Sequence, residues 1–119
     1  DTDAFSYQGK HYLLSTDNLG GNSGVYGALI LWQSDDGLEY KLENARIGAG
    51  TMYDYWGTPE DHAKLKEIPN RFIRSESGKL ERPSVLFIDG KPEYLYAVGG
   101  VNIQGNPVSE SYIFKLDWE

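Results

Sequence analysis

The stretch from Leu80 to Ala97 constrains the fold of this chain more than any other. Glu81-Arg82-Pro83 precede the apolar run Val85-Leu86-Phe87-Ile88, Asp89-Gly90 interrupts it, and Glu93-Tyr94-Leu95-Tyr96-Ala97 runs back with alternating character. Asp-Gly between two apolar segments predicts a tight β-hairpin, because glycine takes a positive φ at no steric cost. Pro83, at the start of the first strand, forfeits no ladder bond that a central residue would need. Glu81 and Arg82 therefore stand at the mouth of a strand. Charged residues there usually face solvent. The sharper alternative is an acid at the rim of a pocket.

The same signals recur along the chain. Ala4-Phe5-Ser6-Tyr7, a Gln8-Gly9 turn and Lys10 to Thr16 predict a first hairpin. His11 reads as a half-exposed strand residue, since no further ligand type sits beside it at metal spacing. Asp17 to Gly24 is a polar, glycine-rich loop without the Gly-Lys-Ser/Thr of a phosphate loop. The apolar run from Val25 to Gln33 predicts a strand covered on both faces. Ser34-Asp35-Asp36-Gly37-Leu38-Glu39-Tyr40 predicts a turn capped by short acids, with Gly37 in the left-handed region. Glu39 to Ile47 then reads as a polar outer strand. Together these make a four-stranded meander of the size of a propeller blade. Residues 49–79 are less regular. Thr58-Pro59-Glu60 carries a helix-start signature reaching to about Lys66, and Asn70 to Ser75 reads as a short strand. Val108 to Leu116 is a last alternating strand.

Nine Tyr, four Phe and three Trp beside 14 Gly agree with an all-β, turn-rich domain, and 119 residues suffice for one. The formal charge of −7 disfavours nucleic acid and anionic membranes as partners and suits a neutral or cationic ligand. No Cys is present, which excludes disulfides and thiolate metal sites. No cofactor or metal is expected. No apolar run approaches the ~18 residues of a membrane span. The chain starts with Asp rather than Met, as a processed or trimmed product does. On that expectation any export signal is already gone, and a secreted or periplasmic setting is favoured.

The two halves repeat. Thr2-Asp3-Ala4-Phe5 leads into a hairpin that turns near Gly9-Lys10, and Glu81-Arg82-Pro83-Ser84 into one that turns near Gly90-Lys91. The expected organisation is a first blade over residues 1–48, a connection over 49–79 and a second blade over 80–119. At these residues the chain resembles the five-bladed β-propeller glycoside hydrolases, the family-43-like arabinanases and β-xylosidases. Glu81-Arg82-Pro83 stands where such enzymes have Glu-Gly-Pro, Asp3-Ala4 where they have Asp-Pro, and Ser34 to Tyr40 is similar to their hairpin-closing turn. Arg82 and Ala4 are departures. The implied fold is a partial propeller of about two blades. Such a chain would be part of a longer enzyme, assemble with copies of itself, or be a small non-catalytic relative.

Glycoside hydrolysis uses two carboxyl groups across the scissile bond. The resemblance implies Glu81 as proton donor and Asp3 as the neighbouring carboxylate, with Arg82 close to the substrate. A third carboxylate has no match. Two other classes compete. A carbohydrate-binding module would use Tyr53, Tyr55 and Trp56 as flat stacking surfaces, and an assembly module would use the same aromatics as an interface. The expected partner is a carbohydrate, with self-association or the remainder of a longer chain beside it.

Overall fold

In the computed structural model, residues 2–51, 54–55, 58–60, 78–103 and 106–117 are described. Most of them form β-strands: β1 (Thr2–Tyr7), β2 (Lys10–Thr16), β3 (Leu29–Ser34), β4 (Arg46–Ala49), β5 (Leu80–Ile88), β6 (Lys91–Ile103) and β7 (Asn106–Lys115). They build two antiparallel sheets, a four-stranded one in the order β1-β2-β3-β4 and a three-stranded one in the order β5-β6-β7. The first meander has the strand number expected from the sequence. The second has three strands among the described residues, not four, and the sheets do not close into a ring.

Both hairpins turn where the sequence predicts. Gln8 and Gly9 have φ of 51° and 77°, and Asp89 and Gly90 of 52° and 76°. Two consecutive positive φ values define the turn whose twist matches that of the flanking strands. The Ser34 turn also forms. Asp36 Oδ1 accepts from the backbone N–H of Leu38 and Glu39, each at 2.9 Å, and from Ser34 Oγ at 2.9 Å, and Gly37 sits at φ 75°.

Three boundaries differ from the expectation. The apolar run that starts at Val25 becomes strand only at Leu29. Asp17 is the reason: its buried Oδ2 accepts from Asn22 N–H, Ser23 N–H and Ser23 Oγ, and its backbone oxygen accepts from Gly20 and Gly27 N–H. That capture holds residues 17–28 as a closed loop. The expected outer strand from Glu39 is mostly not strand either. A single 3₁₀ turn at Leu42–Asn44 intervenes, and only Arg46–Ala49 pairs with β3. Pro83 lies inside β5 rather than at its first position. The register slips between Glu81 and Ser84, with Arg82 at φ 50°, so an edge-strand bulge absorbs the proline. At the helix-start signature Thr58-Pro59-Glu60, Pro59 and Glu60 are helical; the rest of that expected helix, to about Lys66, and the Asn70 to Ser75 strand lie outside the described residues.

The sheets stack face to face. Alternation sends Phe5, Tyr12, Leu14, Leu29 and Leu31 from the first sheet and Val85, Leu95, Ala97, Tyr112 and Phe114 from the second into one core. Phe87 meets Phe5 and Tyr7 edge-on, at centroid distances of 5.9 and 6.3 Å. The first strands of the two sheets, β1 and β5, lie against each other.

Candidate functional site

Where β1 meets β5 the sheets are close. Towards β4 and the end of β7 they part, and a cleft of about 450 Å³ opens between them. Its floor is apolar: Leu14, Leu31 and Ala49 from one sheet, Val85 and Leu95 from the other. Phe5, Tyr55 and Phe114 add aromatic surface, and Arg46, Lys115 and Asp117 are the charged residues of its lining. An apolar, aromatic cleft with a few polar groups has the general make-up of a small-ligand site.

Tyr55 is the only one of the three predicted stacking residues among the described residues; Tyr53 and Trp56 lie outside them. A local turn positions it. Thr51 N–H donates to Asp54 Oδ2 at 2.8 Å, and Asp54 N–H returns a bond to the Thr51 carbonyl at 3.0 Å. Gly50 N–H donates to the Tyr55 hydroxyl at 3.3 Å. An added Cβ on Gly50 would run into the Asp54 carboxylate and push it from its place on Thr51 N–H. The Tyr55 ring leans on Phe114 with centroids 4.7 Å apart and stays 51% exposed. One face of the ring is therefore packed and much of the rest meets solvent.

The two predicted carboxylates sit elsewhere and have partners. Asp3, half-buried on β1, accepts from Val85 N–H through Oδ2 at 2.8 Å. β5 is an edge strand, and Asp3 satisfies an N–H on its unpaired side. Glu81 forms an ion pair with Lys79 at 2.7 Å. Lys79, whose side chain is 10% exposed, also donates to Asn18 Oδ1 at 3.1 Å. Glu81 and Val85 are four residues apart on β5, at most roughly 13 Å of strand. Arg82 is exposed on the bulge between them. Among the described residues no group of three or more His, Asp or Glu is placed to hold a metal ion.

Phe5, Phe114, Arg46, Lys115 and Asp117 were not singled out from the sequence as site residues. The one signal was alternation, which places Phe5 and Phe114 on core faces near their strand ends. Their meeting around Tyr55 depends on how the sheets splay.

No family model matches the chain, and no solved structure matches it. It is similar to a UPF0246 protein of Clostridium beijerinckii (strain ATCC 51743 / NCIMB 8052), 39% identical over 74 residues, which cover 58% of this chain and 27% of the relative. The chain thus spans about a quarter of that relative's length. This finding overturns the resemblance to propeller glycoside hydrolases, because UPF0246 is a family of unknown function and not a glycosidase family. The physical reason is visible in the motifs. Ser34 to Tyr40 is a turn closed by Asp36 and Gly37, and any chain that needs that turn favours those residues. The catalytic roles of Asp3 and Glu81 came with the resemblance and have no other support.

Proposed function

We propose that this chain is a non-catalytic carbohydrate-binding β-module, whose two sheets are blade-like units of a partial propeller and whose ligand lies in the cleft between them. The observation that carries the reading is Tyr55, held at the cleft by Gly50 and Phe114 with half its surface open. A sugar ring offers a flat patch of C–H bonds to such an aromatic surface and hydroxyls to nearby polar groups. Arg46 and Asp117 supply a donor and an acceptor around the same cleft. The volume of about 450 Å³ suits a ligand of one or two sugar rings.

The test is a titration with a panel of neutral oligosaccharides, read by calorimetry and by tryptophan fluorescence, together with an assay for released reducing sugar. The expected result is saturable binding without sugar release, weakened roughly tenfold by Tyr55→Ala, the loss of about one stacking contact. Absence of binding across the panel, or binding that Tyr55→Ala leaves unchanged, overturns the reading.

A further inference from the structure

Among the described residues, the second sheet carries apolar side chains on both faces, and those turned away from the first sheet stay exposed. Along β5, β6 and β7 one set of alternating residues enters the core: Val85, Leu95, Ala97, Tyr112 and Phe114. The other set points away from the first sheet. There Leu86 is 42% exposed, Ile88 43%, Tyr96 39% and Ile113 62%. The register makes them one patch: Tyr96 is directly opposite Ile113, and Leu86 is opposite Tyr94 on the adjacent strand pair. Near-continuous apolar runs such as Val85-Leu86-Phe87-Ile88 are the pattern of strands buried on both sides. The outer face of the first sheet differs. Its Ile30 is already 2% exposed, and Trp32 is half-buried with its indole N–H bonded to Ser15 Oγ at 2.9 Å.

We propose that the outer face of the β5-β6-β7 sheet is a self-association surface on which a second copy of this chain stacks, sheet on sheet. Charge favours a copy here. The chain carries −7, so two copies repel over most of their surfaces. By register, among the described residues, this face holds one acid, Glu81, already neutralised by Lys79 at one end, and two cations, Lys91 opposite Ile88 and Lys115 opposite Tyr94, at the other. It is where like-charged copies meet with least repulsion. The area sets the strength. Three strands about 4.8 Å apart and about five residues long give a face of roughly 14 by 17 Å. With side-chain relief, two such faces bury on the order of 1,000 Å² in total, the lower limit for a specific contact. A contact of that size sits at the weak, reversible end of specific interfaces. This inference is independent of the cleft, which lies on the other side of the sheet.

Sedimentation of the chain from about 1 µM to about 1 mM tests it, the range of weak association. The expected result is a weight-average mass that rises from one chain towards two. Ile113→Lys, at the most exposed position of the patch, is expected to hold the mass at one chain across the series. Its thermal midpoint at low concentration is expected to match the parent's, as is that of Leu86→Lys. A monomer at every concentration overturns the proposal and leaves the face to a different polypeptide. A dimer that both variants leave intact overturns it too, because it then uses another surface.

Discussion

Asp17 and Asp36 each close a loop by accepting several hydrogen bonds on one oxygen, and each is shifted as a result. Burial pushes the Asp17 carboxyl up, but the bonds from Ser23 and Asn22 outweigh it and hold the group below the usual carboxylate range. The bonds from Glu39, Leu38 and Ser34 bring Asp36 down to about 2. A carboxylate whose folded value is depressed contributes stability that is complete above its unfolded value, here 3.8, and is lost as pH falls through the folded value. Thermal midpoints measured between pH 5 and about pH 2 are expected to fall on acidification, and Asp17→Asn is expected to flatten that dependence. At neutral pH Asp17→Ala strands the Asn22 and Ser23 N–H groups and should cost about 1–3 kcal/mol in urea unfolding. Asp3 permits a sharper comparison. If its role is to satisfy Val85 N–H, Asp3→Asn keeps an acceptor and retains most of the stability, whereas Asp3→Ala loses about 1–2 kcal/mol. The cap at Asp36 was legible in the sequence because its partners are two and three residues away. Asp3 was legible only as a carboxylate near a strand start. Its partner is 82 residues on, and no local pattern points to it.

At the scale of elements, the turns were the readable part and the loops the unreadable one. Asp89-Gly90 and Gln8-Gly9 demand positive φ, and few residue pairs supply it, so sequence and conformation are tightly linked. Val25 to Ala28 is as apolar as a strand, yet Gly24 and Gly27 have φ of 79° and 82° and Asp17 gathers the backbone into a loop. Apolar content reports burial, and a buried loop with its polar groups satisfied looks the same as a buried strand. The glycines separate the two cases experimentally. At Gly9 and Gly90 an added Cβ meets nothing within 4 Å, so Ala there carries only the strain of positive φ, about 1–2 kcal/mol. At Gly20, φ 70°, the Cβ would also stand 3.0 Å from Tyr26 N, hard against backbone. Gly20→Ala is therefore expected to destabilise more than Gly9→Ala or Gly90→Ala in the same unfolding assay. The candidate site follows the same division. Tyr55 was readable from a locally aromatic segment, but its neighbours Phe114 and Arg46 come from strands whose approach is set by the stacking of the sheets.

For the whole molecule, stability rests on the layer between the sheets, and Leu80 is fully buried in it. Leu80→Ala should cost about 2–5 kcal/mol by equilibrium denaturation, the range for a buried leucine whose cavity relaxes incompletely. The stacking itself was outside what sequence patterns report, because alternation sorts the residues of each sheet onto two faces without saying which faces meet. Leu80 also does something that packing energy does not describe. Its N–H donates to the Gly27 carbonyl at 3.1 Å, and its own carbonyl accepts from Thr16 Oγ1 at 2.8 Å. The entry to β5 is thus bonded to the Asp17 loop and to the end of β2. Neither sheet can open there without breaking the other's contacts, so the two are expected to melt as one unit. Native-state hydrogen exchange would register this as a Leu80 amide that exchanges only through global unfolding, although it is the first residue of an edge strand, where fraying is the rule.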